Sequence, residues 1–81
     1  MNRPTETKIV ENTPAISIVV NDSAMQVEPS TTIDVLLQTL ALRSGVVAVE
    51  RNGQVVPSLD HSSTRLAEGD RLEVVSLTGG G

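Results

Sequence analysis

Ile33, Leu36, Leu37 and Leu40 stand at the i, i+3, i+4 and i+7 spacing of a single helix face, the one convincing helical signal in the 81-residue chain. Burying each of these side chains contributes about 1.5–3 kcal/mol, so this stripe holds much of the fold together. Thr31 followed by Asp34 predicts a capping box, with the hydroxyl accepting an orphan amide hydrogen bond and the carboxylate at the positive end of the dipole. Arg43 is expected near the negative end, and Ser44-Gly45 is expected to stop the helix. The segments on either side read as strands. One helix covers one face of one sheet, which makes α+β the expected class: a mixed four- to five-stranded sheet with one main helix packed on one face.

The strands follow from alternation and turn chemistry. In Ala15 to Val20, the side chains of Ile16, Ile18 and Val20 share one face at a period of two. Asn21-Asp22-Ser23 supplies a turn, Ala24 to Val27 returns as the second strand, and Pro29 ends the hairpin. Val46 to Arg51 is a further strand, followed by Asn52-Gly53, the strongest short hairpin signal, and by Gln54-Val55-Val56. Pro57 ends that ladder because it has no amide hydrogen to donate. Residues 58–65 read as polar and irregular, Glu68-Gly69-Asp70 as a turn, and Arg71 to Leu77 as the last strand. Residues 1–14 read as a disordered extension, 15–77 as the folded domain and 78–81 as a flexible glycine tail.

Composition narrows the chemistry. With no Phe, Tyr or Trp, the core is built from twelve Val, eight Leu and four Ile, too many for a disordered chain. The same absence removes any platform on which nucleic-acid bases stack, and a net charge of -4 opposes a phosphate backbone. No nucleic-acid partner is expected. Without cysteine there is no disulfide, thiolate nucleophile or thiolate metal site. The apolar runs are too short to span a membrane, and Met1 to Glu6 has no apolar core of a secretory signal. The expected location is the cytoplasm, with no membrane partner, bound metal or bound cofactor.

A search for side-chain catalysis finds little. A Ser-His-Asp arrangement would have to use His61, which beside Asp60 in a polar segment reads as a solvated surface residue. The ten carboxylates are scattered, and no glycine-rich phosphate loop opens a helix. No catalytic residue of its own is expected, and the chain is not read as an enzyme. What remains is the end, Thr78-Gly79-Gly80-Gly81. Glycine lacks a Cβ, so Gly79 and Gly80 suit threading through a narrow channel in a partner's active site. Four extended residues reach about 13–14 Å. The α-carboxyl, with an ordinary pKa of about 3.5, is an anion at neutral pH and a poor electrophile until a partner activates it, most plausibly with adenylate.

Several segments, in order, carry a family resemblance. They are Val47-Ala48-Val49-Glu50-Arg51-Asn52-Gly53-Gln54-Val55-Val56-Pro57, then Leu66-Ala67-Glu68-Gly69-Asp70-Arg71-Leu72-Glu73-Val74-Val75, then Gly80-Gly81. Together they resemble the ThiS family of sulfur carrier proteins of thiamine biosynthesis, over residues 15–81. The resemblance implies a β-grasp (ubiquitin-like) fold. It also implies that an ATP-dependent activating enzyme adenylates Gly81, and that a persulfide from a cysteine desulfurase system converts it to a thiocarboxylate. Thiazole synthase then consumes the sulfur. ATP is used by the activating enzyme and is not bound by the carrier. One departure is evident: Ser58 and His61 stand where such carriers often have Arg and Trp.

Alternation on the last strand supplies a docking expectation. If Leu72 and Val74 face the core, Glu73, Val75 and Leu77 lie on the open face, and the apolar Val75 and Leu77 form a candidate partner-docking patch with Val19. Two other readings remain open. One is a sulfur carrier of another pathway, such as a molybdopterin synthase small subunit or a carrier for cysteine or natural-product biosynthesis. The other is a ubiquitin-like protein modifier joined to lysines through Gly81.

Overall fold

The computed structural model describes residues 14–77. The expected extension, apart from Pro14, and the expected tail, including Gly79, Gly80 and Gly81, lie outside the described residues. The chain order is β1 (Ile16–Val20), β2 (Ser23–Val27), α1 (Ile33–Thr39), β3 (Val47–Arg51), β4 (Gln54–Val56) and β5 (Arg71–Ser76). Short 3-10 turns at Ser44–Val46 and Ser58–Asp60 complete it. The strands form one five-stranded sheet in the order β2-β1-β5-β3-β4. The central β1·β5 pair is parallel and the other pairs are antiparallel, so the sheet is mixed as expected.

Both hairpins use left-handed turn residues that match the strand twist. Asn21 and Asp22 have φ of 48° and 70°, and Asn52 and Gly53 have 53° and 87°. Asparagine and aspartate tolerate this region better than other side chains because their short polar groups bond locally. The Asn21 carboxamide does more. Its Oδ1 accepts from Val74 N at 2.8 Å and its Nδ2 donates to Val74 O at 3.1 Å, extending the β1 ladder one residue past the strand's end.

One face of the sheet packs against α1. Ile18, Val20, Val47, Val49 and Leu72 meet Ile33, Leu36, Leu37 and Leu66 in the buried core. Leu40 is half-buried at its edge.

The helix starts and stops elsewhere than expected. Thr32, not Thr31, is the cap: its Oγ1 accepts from Val35 N at 3.3 Å. Thr31 is taken up by the turn before it, where its hydroxyl donates to Glu28 O at 2.6 Å. A bridge between Thr32 and Arg65 accompanies the extended conformation of Thr32 that a cap needs. Asp34 does not close a capping box; its carboxylate accepts from Gln38 Nε2 and Ser44 Oγ.

At the other end the chain leaves the helix at Leu40, well before Ser44-Gly45. Ala41 takes φ of 62°, Ala41 N donates to Gln38 O at 3.0 Å, and Leu42 N donates to Leu37 O at 2.8 Å. This is a Schellman motif with alanine where glycine is usual. No basic residue occupies the last turn; Arg43 is already extended. Sequence chemistry misses this stop because alanine carries no breaker signal, whereas burial of Leu42 against the core makes the reversal favourable.

Residues 58–65 are also more ordered than their polarity implied. Thr64 O accepts from Ile33 N and His61 O from Asp34 N, both at 3.0 Å. These carbonyls satisfy amides that the first turn of α1 leaves without intrahelical partners. His61, expected to be solvated, is 1% exposed. Its Nε2 lies 3.0 Å from Val56 O and its Nδ1 lies 2.9 Å from Ser44 Oγ, so both ring nitrogens are engaged inside. The physical reason is tertiary: the crossover before β5 folds under the start of α1, and a histidine satisfied at both nitrogens is a tolerable buried polar group.

Candidate functional site

The end of β5 is where the described structure meets the tail. Leu77 N donates to Val46 O at 2.8 Å, continuing the β3·β5 ladder one residue past the strand and anchoring the chain just before Thr78. At the other end of β5, Asp70 sets the strand's entry. Its carboxylate accepts from Arg51 Nε at 2.8 Å, Asn52 Nδ2 at 3.0 Å and Ala67 N at 2.8 Å. Burial works to raise the Asp70 pKa. The bonds from the Ala67 amide, the Asn52 carboxamide and the Arg51 guanidinium outweigh it and hold the carboxyl below its ordinary 3.8. Asn52 in turn accepts from Arg71 N at 2.9 Å, tying the Asn-Gly turn to the first residue of β5. Both ends of the strand that leads to the tail are thus held by bonds to β3 or to residues adjoining it.

The face of the sheet away from α1 is uncovered among the described residues. Register places Val75 opposite Ala48, and Glu73 opposite Glu50, which itself pairs with Val55 of β4. Val75 is 57% exposed and Leu77 63%. These two side chains are about 7 Å apart along the strand on one face. Val19 lies on the same face but pairs with Arg71, four residues or about 13 Å from Val75 along β5. The structure therefore brings Val75 and Leu77 together and sets Val19 apart, half-buried beside Arg71. Sequence reading missed Ala48, Glu50 and Val55 as members of this face. The Asn-Gly turn pairs Glu50 with Val55 locally, but only the β3·β5 pairing aligns them with Glu73 and Val75.

Other features of the described residues offer little chemistry. A groove of about 290 Å³ opens between β2 and α1, with Met25, Val27 and Val35 among its apolar walls. It is on the helix side of the sheet, away from Val75 and Leu77. Among the described residues no group of three or more His, Cys, Asp or Glu is placed to hold a metal ion. None of the described helices is long and apolar enough to cross a membrane.

A mixed five-stranded sheet with parallel central strands, gripped by one helix between two hairpins, is a β-grasp domain. The chain belongs to the ThiS family, whose model matches residues 10–81. A crystal structure of the thiamine biosynthesis protein ThiS from Geobacter metallireducens superimposes with a TM-score of 0.69 at 29% identity, covering 82% of this chain and 100% of that one. Over 66 residues, 82% of this chain, it is 36% identical to a thiazole synthase of Paramagnetospirillum magneticum, of whose length the match spans 20%. It is also 36% identical over 66 residues to the uncharacterized protein ycf40 of Pyropia yezoensis, covering 93% of that protein.

Proposed function

We propose that this chain is the sulfur carrier of thiamine biosynthesis, with the Gly81 carboxylate as its reactive group. The observation that carries this reading is the family match through residue 81, which includes the terminal glycines. The carboxylate attacks the α-phosphorus of ATP in an adenylating enzyme, giving an acyl adenylate and releasing pyrophosphate. The terminal sulfur of a persulfide, supplied by a cysteine desulfurase system, then displaces AMP. A second thiol cleaves the resulting S–S bond and leaves the thiocarboxylate. Thiazole synthase takes the sulfur and returns the carboxylate. The chain's own residues catalyse none of these steps. They present the tail: β5 is fixed through Asp70 and Leu77, and Gly79 and Gly80 enter the partner's active site.

The similarity to part of a thiazole synthase supports that class of recipient. Val75 and Leu77 form the docking patch beside the tail, with Val19 at its far margin. The test is intact-mass analysis after incubation with ATP, the adenylating enzyme and a sulfur donor. The expected result is exchange of one oxygen for sulfur, localised to Gly81 and lost when Gly80-Gly81 is deleted. An unchanged mass, or Gly81 found in isopeptide linkage to lysines, overturns it.

A further inference from the structure

Glu50 and Glu73 face each other across β3 and β5 on the open side of the sheet. Both are exposed, and neither has an ion-pair partner among the described residues. Like charges directly opposite in a ladder destabilise a sheet, so this pair is a local liability in the isolated domain. The cations near by do not relieve it. Arg51, next to Glu50 in sequence, points to the helix side and bonds Asp70. Arg71, two residues before Glu73, reaches Asp22 with Nη2 at 3.4 Å.

Toward β4 and toward the tail the neighbours of the two carboxylates are apolar, and Arg71 borders Glu73 on the remaining side. Val55 borders Glu50 on β4, and the Val75–Ala48 pair borders both glutamates toward the tail. With Val55 67%, Val75 57% and Leu77 63% exposed, the acidic pair adjoins an exposed apolar patch on the side nearer the tail.

We propose that the Glu50–Glu73 pair is the charge-selective element of the docking face, and that its occupant is a basic side chain, best an arginine, on the adenylating enzyme that activates the tail. This rests on the carrier reading above. A guanidinium offers donors on both edges of its plane, so one can bond each carboxylate while its methylene stem lies on Val55 or Val75. Binding then removes the like-charge repulsion that the free domain carries. The patch is continuous with the anchor at Leu77, so a partner holding the tail covers it. A metal ion is a poorer occupant, because no third metal-binding side chain joins the pair among the described residues.

The experiment compares the full chain with Glu50→Gln, Glu73→Gln and the double variant in ATP–pyrophosphate exchange by the adenylating enzyme of the same organism, alongside thermal melts of the carriers alone. In the double variant, the Tm is expected to be equal to or above that of the wild type, while KM for the carrier rises about tenfold, as loss of a charge-assisted contact requires. The wild-type KM is expected to rise steeply with salt and that of the double variant to be nearly flat. A double variant that melts like the wild type and keeps its KM within about twofold overturns the cation contact and leaves the carrier reading standing. No exchange with the wild type overturns the carrier reading, and the contact that rests on it falls too.

Discussion

His61 Nδ1 lies 2.9 Å from the Ser44 hydroxyl, across the seam between the crossover loop and the 3-10 turn that follows α1. On the ring's other side Val56 O only accepts, so Nε2 carries a proton. The Ser44 hydroxyl beside Nδ1 also lies 3.2 Å from Asp34 Oδ1, so the serine links the ring to the first turn of α1. One histidine thus connects β4, the loop and the 3-10 turn that precedes β3. His61→Ala leaves a cavity and an unpaired carbonyl, and is expected to cost about 3 kcal/mol by chemical denaturation. A loss below about 0.5 kcal/mol, the size of an ordinary surface change, contradicts the structural role.

Ala41 holds φ of 62° at the helix stop. A Cβ in that region is unfavourable by about 1–2 kcal/mol, partly offset by the lower chain entropy of alanine when unfolded. Ala41→Gly is therefore expected to stabilise the domain by about 0.5–1 kcal/mol, read as a higher denaturation midpoint with an unchanged m-value. Destabilisation would place the reversal elsewhere.

Thr32→Ala removes the hydroxyl that accepts from Val35 N and is expected to cost about 1 kcal/mol. Thr31→Ala leaves that cap in place and loses only the bond to Glu28 O. If unfolding curves rank the two substitutions in the opposite order, the cap belongs to Thr31.

The Asp70 carboxyl titrates below its ordinary 3.8 in the folded state. A depressed folded pKa means the ionised form is bound more tightly when folded. Its stabilisation is therefore fully present above the unfolded value and is lost as pH falls through the folded pKa. Stability of the wild type should drop between about pH 5 and the strongly acidic range. Asp70→Asn, expected to cost about 2 kcal/mol at neutral pH, should show a smaller drop. Identical acid profiles would remove Asp70 from the account.

Leu77→Asp places a charge on a side chain already 63% exposed, so the fold should persist by circular dichroism. Activation by the adenylating enzyme should fall at least tenfold, because the charge sits in the apolar patch beside the tail. Activation at the wild-type rate removes Leu77 from the docking face.

What the sequence by itself determined is what neighbouring residues decide together. Alternation fixed the strands, the 3.6-residue period fixed the α1 stripe, and asparagine with aspartate or glycine fixed both hairpin turns. The Leu72–Val74 alternation by itself separates the core face from the face that carries Val75 and Leu77. Only the tertiary structure decided the rest. Thr32 becomes the cap in company with its bridge to Arg65, and the helix stops at Ala41 where Leu42 reaches the core. His61 is buried because the crossover passes beneath α1, which polarity along the chain does not encode. Glu50 meets Glu73 only through pairing of strands distant in sequence, since register across a non-local ladder is set by the shared core and not by either strand alone.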